Sequence, residues 1–184
     1  MITVLRSHHY YRRLSERLRR DRKGATAVEF AIVALPFFAL MAAIMETALV
    51  FFATIMMEHG LAQSAREIRT GQLQVSGGSA ANFRDTLCSR TGPILDCGRV
   101  EFDVRTLASF GGAPGLPLNG DGQLDGNAMG FAPGEAGDIV MVRAFYEWQL
   151  IMPNLGLGLS NMSGNKRLLT ATIAFRNEPF QDDL

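Results

Sequence analysis

The chain has little of what most enzymes and metal proteins need. Its 184 residues include two cysteines, three histidines and one tryptophan. Cys88 and Cys97 form no CxxC and have no histidine pairing, so no zinc spacing is present. No Walker A run, GxSxG elbow or HExxH occurs, which leaves no catalytic or cofactor constellation. His8 and His9 lie near the N-terminus, and His59 has no evident partner. The chain is therefore not expected to be an enzyme or to carry a cofactor. Net charge is missing too, with 18 basic and 18 acidic side chains.

That zero is the sum of two unequal parts. Residues 1–24 hold eight Lys or Arg against Glu16 and Asp21, for a net charge of +6, and the other 160 residues have a net charge of −6. A basic N-terminus can hold nucleic acid or anionic lipid. Placed directly before a long apolar run, it is more simply a topology determinant, and no nucleic-acid partner is expected.

Charge is scarcest between Phe30 and Met57, where Glu46 is the sole charged residue. A helix needs roughly 20 mainly apolar residues to cross a hydrocarbon core of about 30 Å. This run of 28 spans one with some tilt. Basic residues precede it and none comes closely after it, which places the N-terminus in the cytoplasm and the rest outside. An ordinary secretory signal has a shorter apolar region with its small-residue cleavage site afterwards, whereas Ala25-Thr26-Ala27 lies before the run. Leu61, Ala65 and Ile68 continue at helical spacing, and Gly71 is a C-cap candidate. The pattern predicts one helix over about residues 26–70, roughly 65–70 Å long. Pro36 and Gly60 are its expected weak points, with a kink or local melting at Pro36.

Glu29 stands just inside this apolar region. An ionised carboxylate alone in lipid costs at least a few kcal/mol, so an intramembrane acid implies a partner or a function. Either Glu29 reaches the headgroups beside Arg22 or Lys23, or it serves assembly. Glu46, 17 residues on, points to a different face of the helix. It sits near the outer interface or pairs with another subunit.

A basic leader, Gly24, the four residues Ala25-Thr26-Ala27-Val28, then Glu29-Phe30 and an apolar helix together resemble a type IV prepilin cleavage site. The resemblance is narrower to the Flp/Tad branch, in which a glycine precedes a short run ending in Glu and an aromatic residue. It implies cleavage of the Gly24–Ala25 bond by a prepilin peptidase on the cytoplasmic side. It also implies that Glu29 becomes the fifth mature residue and pairs with the new α-ammonium of a neighbouring subunit. Two opposite charges buried together offset part of each other's desolvation cost. Glu46 late in the apolar helix, Ala65-Arg66-Glu67 and Arg176-Asn177-Glu178-Pro179 near the C-terminus extend the likeness. The chain resembles the TadE-like minor pseudopilins of the tight-adherence (Tad) system.

Beyond the helix, Val75–Ser79 reads as a turn and Ala80–Leu87 as a short helix. In an oxidising periplasm Cys88 and Cys97 are expected to join. Val100–Arg105 alternates apolar and polar residues as a half-buried strand does. Ile139–Leu150 is a longer strand candidate, with Tyr146 and Trp148 on one face and Phe145 and Glu147 on the other. Leu169, Ala171, Ile173 and Phe175 line one face of a last strand. Residues 111–137 contain nine glycines and three prolines and read as a long loop. Asn119, Asp121 and Asp125 within it faintly match a calcium loop, but both registers fail at the closing ligand, so turn chemistry is the better reading and no metal is expected.

The expected fold class is thus α+β, pseudopilin-like. A basic leader (1–24) precedes a transmembrane assembly helix (25–71). A periplasmic head (72–184) carries a three- or four-stranded, mainly antiparallel sheet. The expected function is that of a minor pilin-like structural protein of a bacterial Tad/Flp pilus, needed for assembly, surface adhesion or biofilm formation. Its expected partners are the prepilin peptidase, other pilin subunits and inner-membrane lipid. The alternative is an uncleaved single-span inner-membrane scaffold with a periplasmic domain.

Overall fold

A computed structural model of the chain describes residues 24–92, 94–152 and 158–180. The leader up to Lys23 and Pro93 lie outside the described residues. The described residues divide into two units, one up to Met45 and one from Glu46 on, and the division falls inside one long helix. That helix, α1, spans Ala25–Arg69, within a residue of the bounds predicted at either end. It continues through Pro36 and Gly60 without a break, so Pro36 does not melt it. Gly71 ends it in a left-handed conformation (φ 75°), with its N–H donating to Ile68 O at 3.1 Å. Only a residue without a Cβ takes that conformation at no cost, and the Phe180 ring lies where a Cβ would stand.

In the first unit, from Phe30 on, α1 is apolar all round and mostly exposed, with Phe30, Ile32, Val33, Leu35, Phe37 and Phe38 among the uncovered side chains. A helix apolar on every side is either buried in protein or placed in lipid. Its most apolar 18-residue window has mean hydropathy 2.3 and is 6% buried. This is the one helix among the described residues long and apolar enough to cross a membrane.

In the second unit the same helix becomes one-sided. Val50, Ala53, Met57, Leu61, Ala65 and Ile68 recur at three- and four-residue intervals and are buried in the core. They pack with strands β1 (Val100–Leu107), β2 (Ile139–Gln149) and β3 (Lys166–Arg176). The sheet order is β1-β2-β3, antiparallel throughout. Val100, Phe102 and Val104 face the core from β1; Val140, Val142, Ala144 and Tyr146 do so from β2, and Leu169 and Ala171 from β3. The single-turn helix α2 (Gln72–Val75) supplies Leu73, and helix α3 (Ala80–Thr91) supplies Phe83 and Leu87. α3 runs four residues past its expected end and begins after Ser79, whose side chain accepts from Asn82 N–H.

Gly60 is a contact rather than a weak point. A Cβ there would lie 2.7 Å from Thr91 Cγ2 and 3.3 Å from the Arg90 carbonyl carbon. The glycine lets α3 approach the backbone of α1. Glu67 and Gln63 then hold it: Arg90 donates to Glu67 Oε1 and to Gln63 Oε1, both at 2.8 Å.

The glycine-rich segment does not lie away from the sheet. Gly130 and Ala132 bond to Val104 across the free edge of β1 (Val104 N–H to Gly130 O and Ala132 N–H to Val104 O, each 2.9 Å). Residues of β2 are buried on both faces, Met141 and Phe145 included. The alternation in Val100–Arg105 was expected to leave Asp103 toward solvent, and instead Asp103 is fully buried.

Candidate processing and assembly site

Gly24 stands immediately before α1 in a 3-10 turn, is exposed, and has open space where a Cβ would be. Ala25 is the first residue of the helix. Glu29 lies four residues on, so the two share one helix face about one turn apart. Glu29 is exposed, and no described residue forms an ion pair with it. Phe30 beside it is 71% exposed. The first turn of α1 contains no acid that would compete for a positive N-terminus.

Glu46 is placed quite differently. It is 4% exposed and continues the core-facing stripe that runs through Val50 and Ala53. Its carboxylate accepts backbone N–H bonds from Ile151 and from Met152, the latter at 3.2 Å to each oxygen. It therefore fixes the turn that leaves β2. Asn165, left-handed at φ 57°, holds the same turn from the other side: its amide donates to Leu150 O at 3.1 Å and to Met152 O at 2.9 Å.

Cys88 near the end of α3 and Cys97 in the 3-10 turn Cys97–Arg99 form a disulfide, with Cα atoms 5.5 Å apart. The residues of the calcium-like stretch are engaged in turns. Asn119 Oδ1 accepts from the N–H groups of Asp121 and Gln123, and Asp125 Oδ1 accepts from Asn127 N–H.

The Asp103 cluster was not foreseen from the sequence. Asp103 and Arg143 are direct partners in the β1–β2 register. Arg143 Nη2 donates to Asp103 Oδ2 at 2.7 Å, Arg105 Nε donates to both carboxylate oxygens, and Gly130 N–H donates to Oδ1 at 2.8 Å. Arg143 also reaches Pro114 O at 3.1 Å and Gly115 O at 2.7 Å, while Arg105 bonds to Ala128 O. Burial alone would raise the carboxyl pKa, but the bonds from Arg105, Arg143 and Gly130 outweigh it and hold it below the ordinary value. The cluster pins both limbs of the glycine-rich segment to the sheet. The available signal was an Asp and an Arg on two strand candidates, without a register to pair them.

The two outlying motifs also have places. Ala65 is in the core, and Glu67 holds α3. Asn177 is buried and donates to Pro133 O and Glu135 O, while Glu178 N–H donates to Arg69 O at 2.8 Å. The stretch after β3 thus ties the glycine-rich segment and the end of α1 together.

Residues 24–66 match the family model described as TadE-like protein. No curated protein and no solved structure matches the chain. The matched stretch contains Gly24, Ala25, Glu29, Phe30 and Glu46, and it runs from the start of α1 through most of its head-packing half.

Proposed function

We propose that this TadE-like chain, associated with the Tad pilus, is a minor pilin-like structural protein processed by a prepilin peptidase. The reading rests above all on the placement of Gly24. It is exposed and unobstructed at the start of a helix whose first half is apolar on all sides, with Glu29 just over one turn further along. The chain inserts in the bacterial inner membrane with its N-terminus in the cytoplasm and its head in the periplasm. The peptidase cuts between Gly24 and Ala25 and removes the +6 leader. The new ammonium at Ala25 and the carboxylate of Glu29 then lie in one membrane layer, where each is costly alone and less so when paired with its counterpart on a neighbouring subunit. Such pairing favours one axial register between subunits. The exposed apolar residues around it, Phe30 among them, meet lipid before assembly and neighbouring helices after it. Through this assembly the chain contributes to surface adhesion or biofilm formation.

The test is the N-terminal mass of the protein recovered from host membranes with and without the prepilin peptidase. The expected outcome is a peptidase-dependent chain beginning at Ala25. An intact leader in both strains overturns the proposal in favour of an uncleaved single-span scaffold.

A further inference from the structure

The most exposed large hydrophobic side chain among the described residues is that of Ile151, at 79%. It is not at the tip of an untethered loop. Its own N–H is held by Glu46, and the flanking Leu150 and Met152 carbonyls are held by Asn165. The backbone is thus fixed on both sides while an apolar side chain is kept turned outward. The sequence around it has no charged residue from Trp148 to Asn165. A turn facing water after a strand is ordinarily polar.

The position of Glu46 says what covers this turn. On α1, Leu49, Phe51, Phe52 and Ile55 come after Glu46 and are all exposed on the helix surface away from the core. The exposed apolar band of the helix therefore extends beyond the level of Glu46, by nine residues or about 13 Å at 1.5 Å per residue. A turn bonded to Glu46 lies at the level of that band. If the band is in hydrocarbon, so is Ile151.

We infer that the turn at Ile151, with Leu150 buried behind it, is a lipid-contacting lip, by which the head rests in the outer leaflet of the membrane that α1 crosses. Glu46 is its positioning residue. The carboxylate satisfies backbone N–H groups that hydrocarbon would leave unpaired, and it keeps Ile151 aimed at the acyl chains. This rests on the membrane reading of α1, and the experiment separates the two.

Full-length protein is placed in phosphatidylethanolamine–phosphatidylglycerol vesicles containing doxyl-labelled phosphatidylcholine, without reductant. An environment-sensitive fluorophore is attached in turn to Ile151→Cys, to Phe38→Cys on the first unit of α1, and to Leu116→Cys, an exposed apolar position in the glycine-rich segment. The expected result is blue-shifted emission quenched by doxyl lipid at positions 38 and 151, and water-like, unquenched emission at 116. Quenching at 38 but not at 151 overturns the lip and leaves the membrane reading standing. Blue-shifted but unquenched emission at 151 assigns the turn to a protein neighbour and also overturns it. No quenching at 38 overturns the membrane reading and the lip together. Adding Glu46→Ala is expected to reduce quenching at 151 and leave 38 unchanged; undiminished quenching at 151 refutes the positioning role.

Discussion

Replacing Asp103 by alanine tests whether the glycine-rich segment is held on the sheet by charge. Asp103 is fully buried, and the Arg143 side chain that pairs with it is 5% exposed. Removing one member of a buried pair costs about 3–5 kcal/mol, because the other charge is left uncompensated. Arg143 keeps its bonds to Pro114 O and Gly115 O, which points to the lower end, about 3 kcal/mol. For a chain of this size that is a fall in Tm of roughly 6–12 °C. The assay is thermal unfolding of the full chain in detergent, followed by the fluorescence of its sole tryptophan, Trp148. The folded carboxyl titrates below its ordinary value of 3.8, so its stabilising contribution is full above that pH. It is lost as the pH falls through the lower folded value. The gap between wild type and Asp103→Ala should therefore be constant near neutrality and close at acid pH below 3.8. A loss within about 0.5 kcal/mol, typical of an unconstrained surface site, would refute the reasoning. So would a gap that widens on acidification.

Gly60→Ala sets an overpacking cost of roughly 1–3 kcal/mol against a gain in helix propensity of about 1 kcal/mol. A lower Tm is expected, and lower still for Gly60→Leu; a stabilised Gly60→Ala would show that α3 yields freely. Cys88→Ser with Cys97→Ser should cost about 2–3 kcal/mol for a nine-residue separation, read as the shift in denaturation midpoint between the variant and the oxidised wild type. Glu29→Gln should leave cleavage after Gly24 largely intact and impair incorporation into the filament. N-terminal mass and recovery in sheared pili measure the two, and normal incorporation would count against the carboxylate–ammonium pairing.

The local patterns were legible in the sequence. The apolar run and its helical continuation predicted α1 to within a residue, because a repeat near 3.6 residues and a terminal glycine are properties of neighbouring residues. The three strand candidates became β1, β2 and β3. β1 runs on to Leu107 and β3 reaches back to Lys166, both beyond the alternating stretch, while β2 stops at Gln149, one residue short of its expected end. The candidate processing-site residues could likewise be named from Gly24 and Glu29-Phe30, since the motif they resemble is contiguous; whether the bond is cut is a matter for the N-terminal mass. The glycine-rich segment could not be placed, since its turns have no period and nothing in 111–137 tells which part of the sheet it covers.

Sequence alone therefore determined the elements, the apolar band and the candidate site at its start. Tertiary structure decided the partners of the charged residues that the patterns could not place. Asp103 read as a solvent-facing residue until the register set Arg143 opposite it and the loop closed over both. Glu46 read as an acid near the outer interface or paired with another subunit, and a turn 105 residues away in sequence brings it backbone donors. Gly60 read as a flaw until α3 was packed against it. In each case the deciding contact joins residues far apart in the chain. Burying a polar group or closing two backbones together is favourable only when the partner is already in place, and no local pattern records where that partner will be.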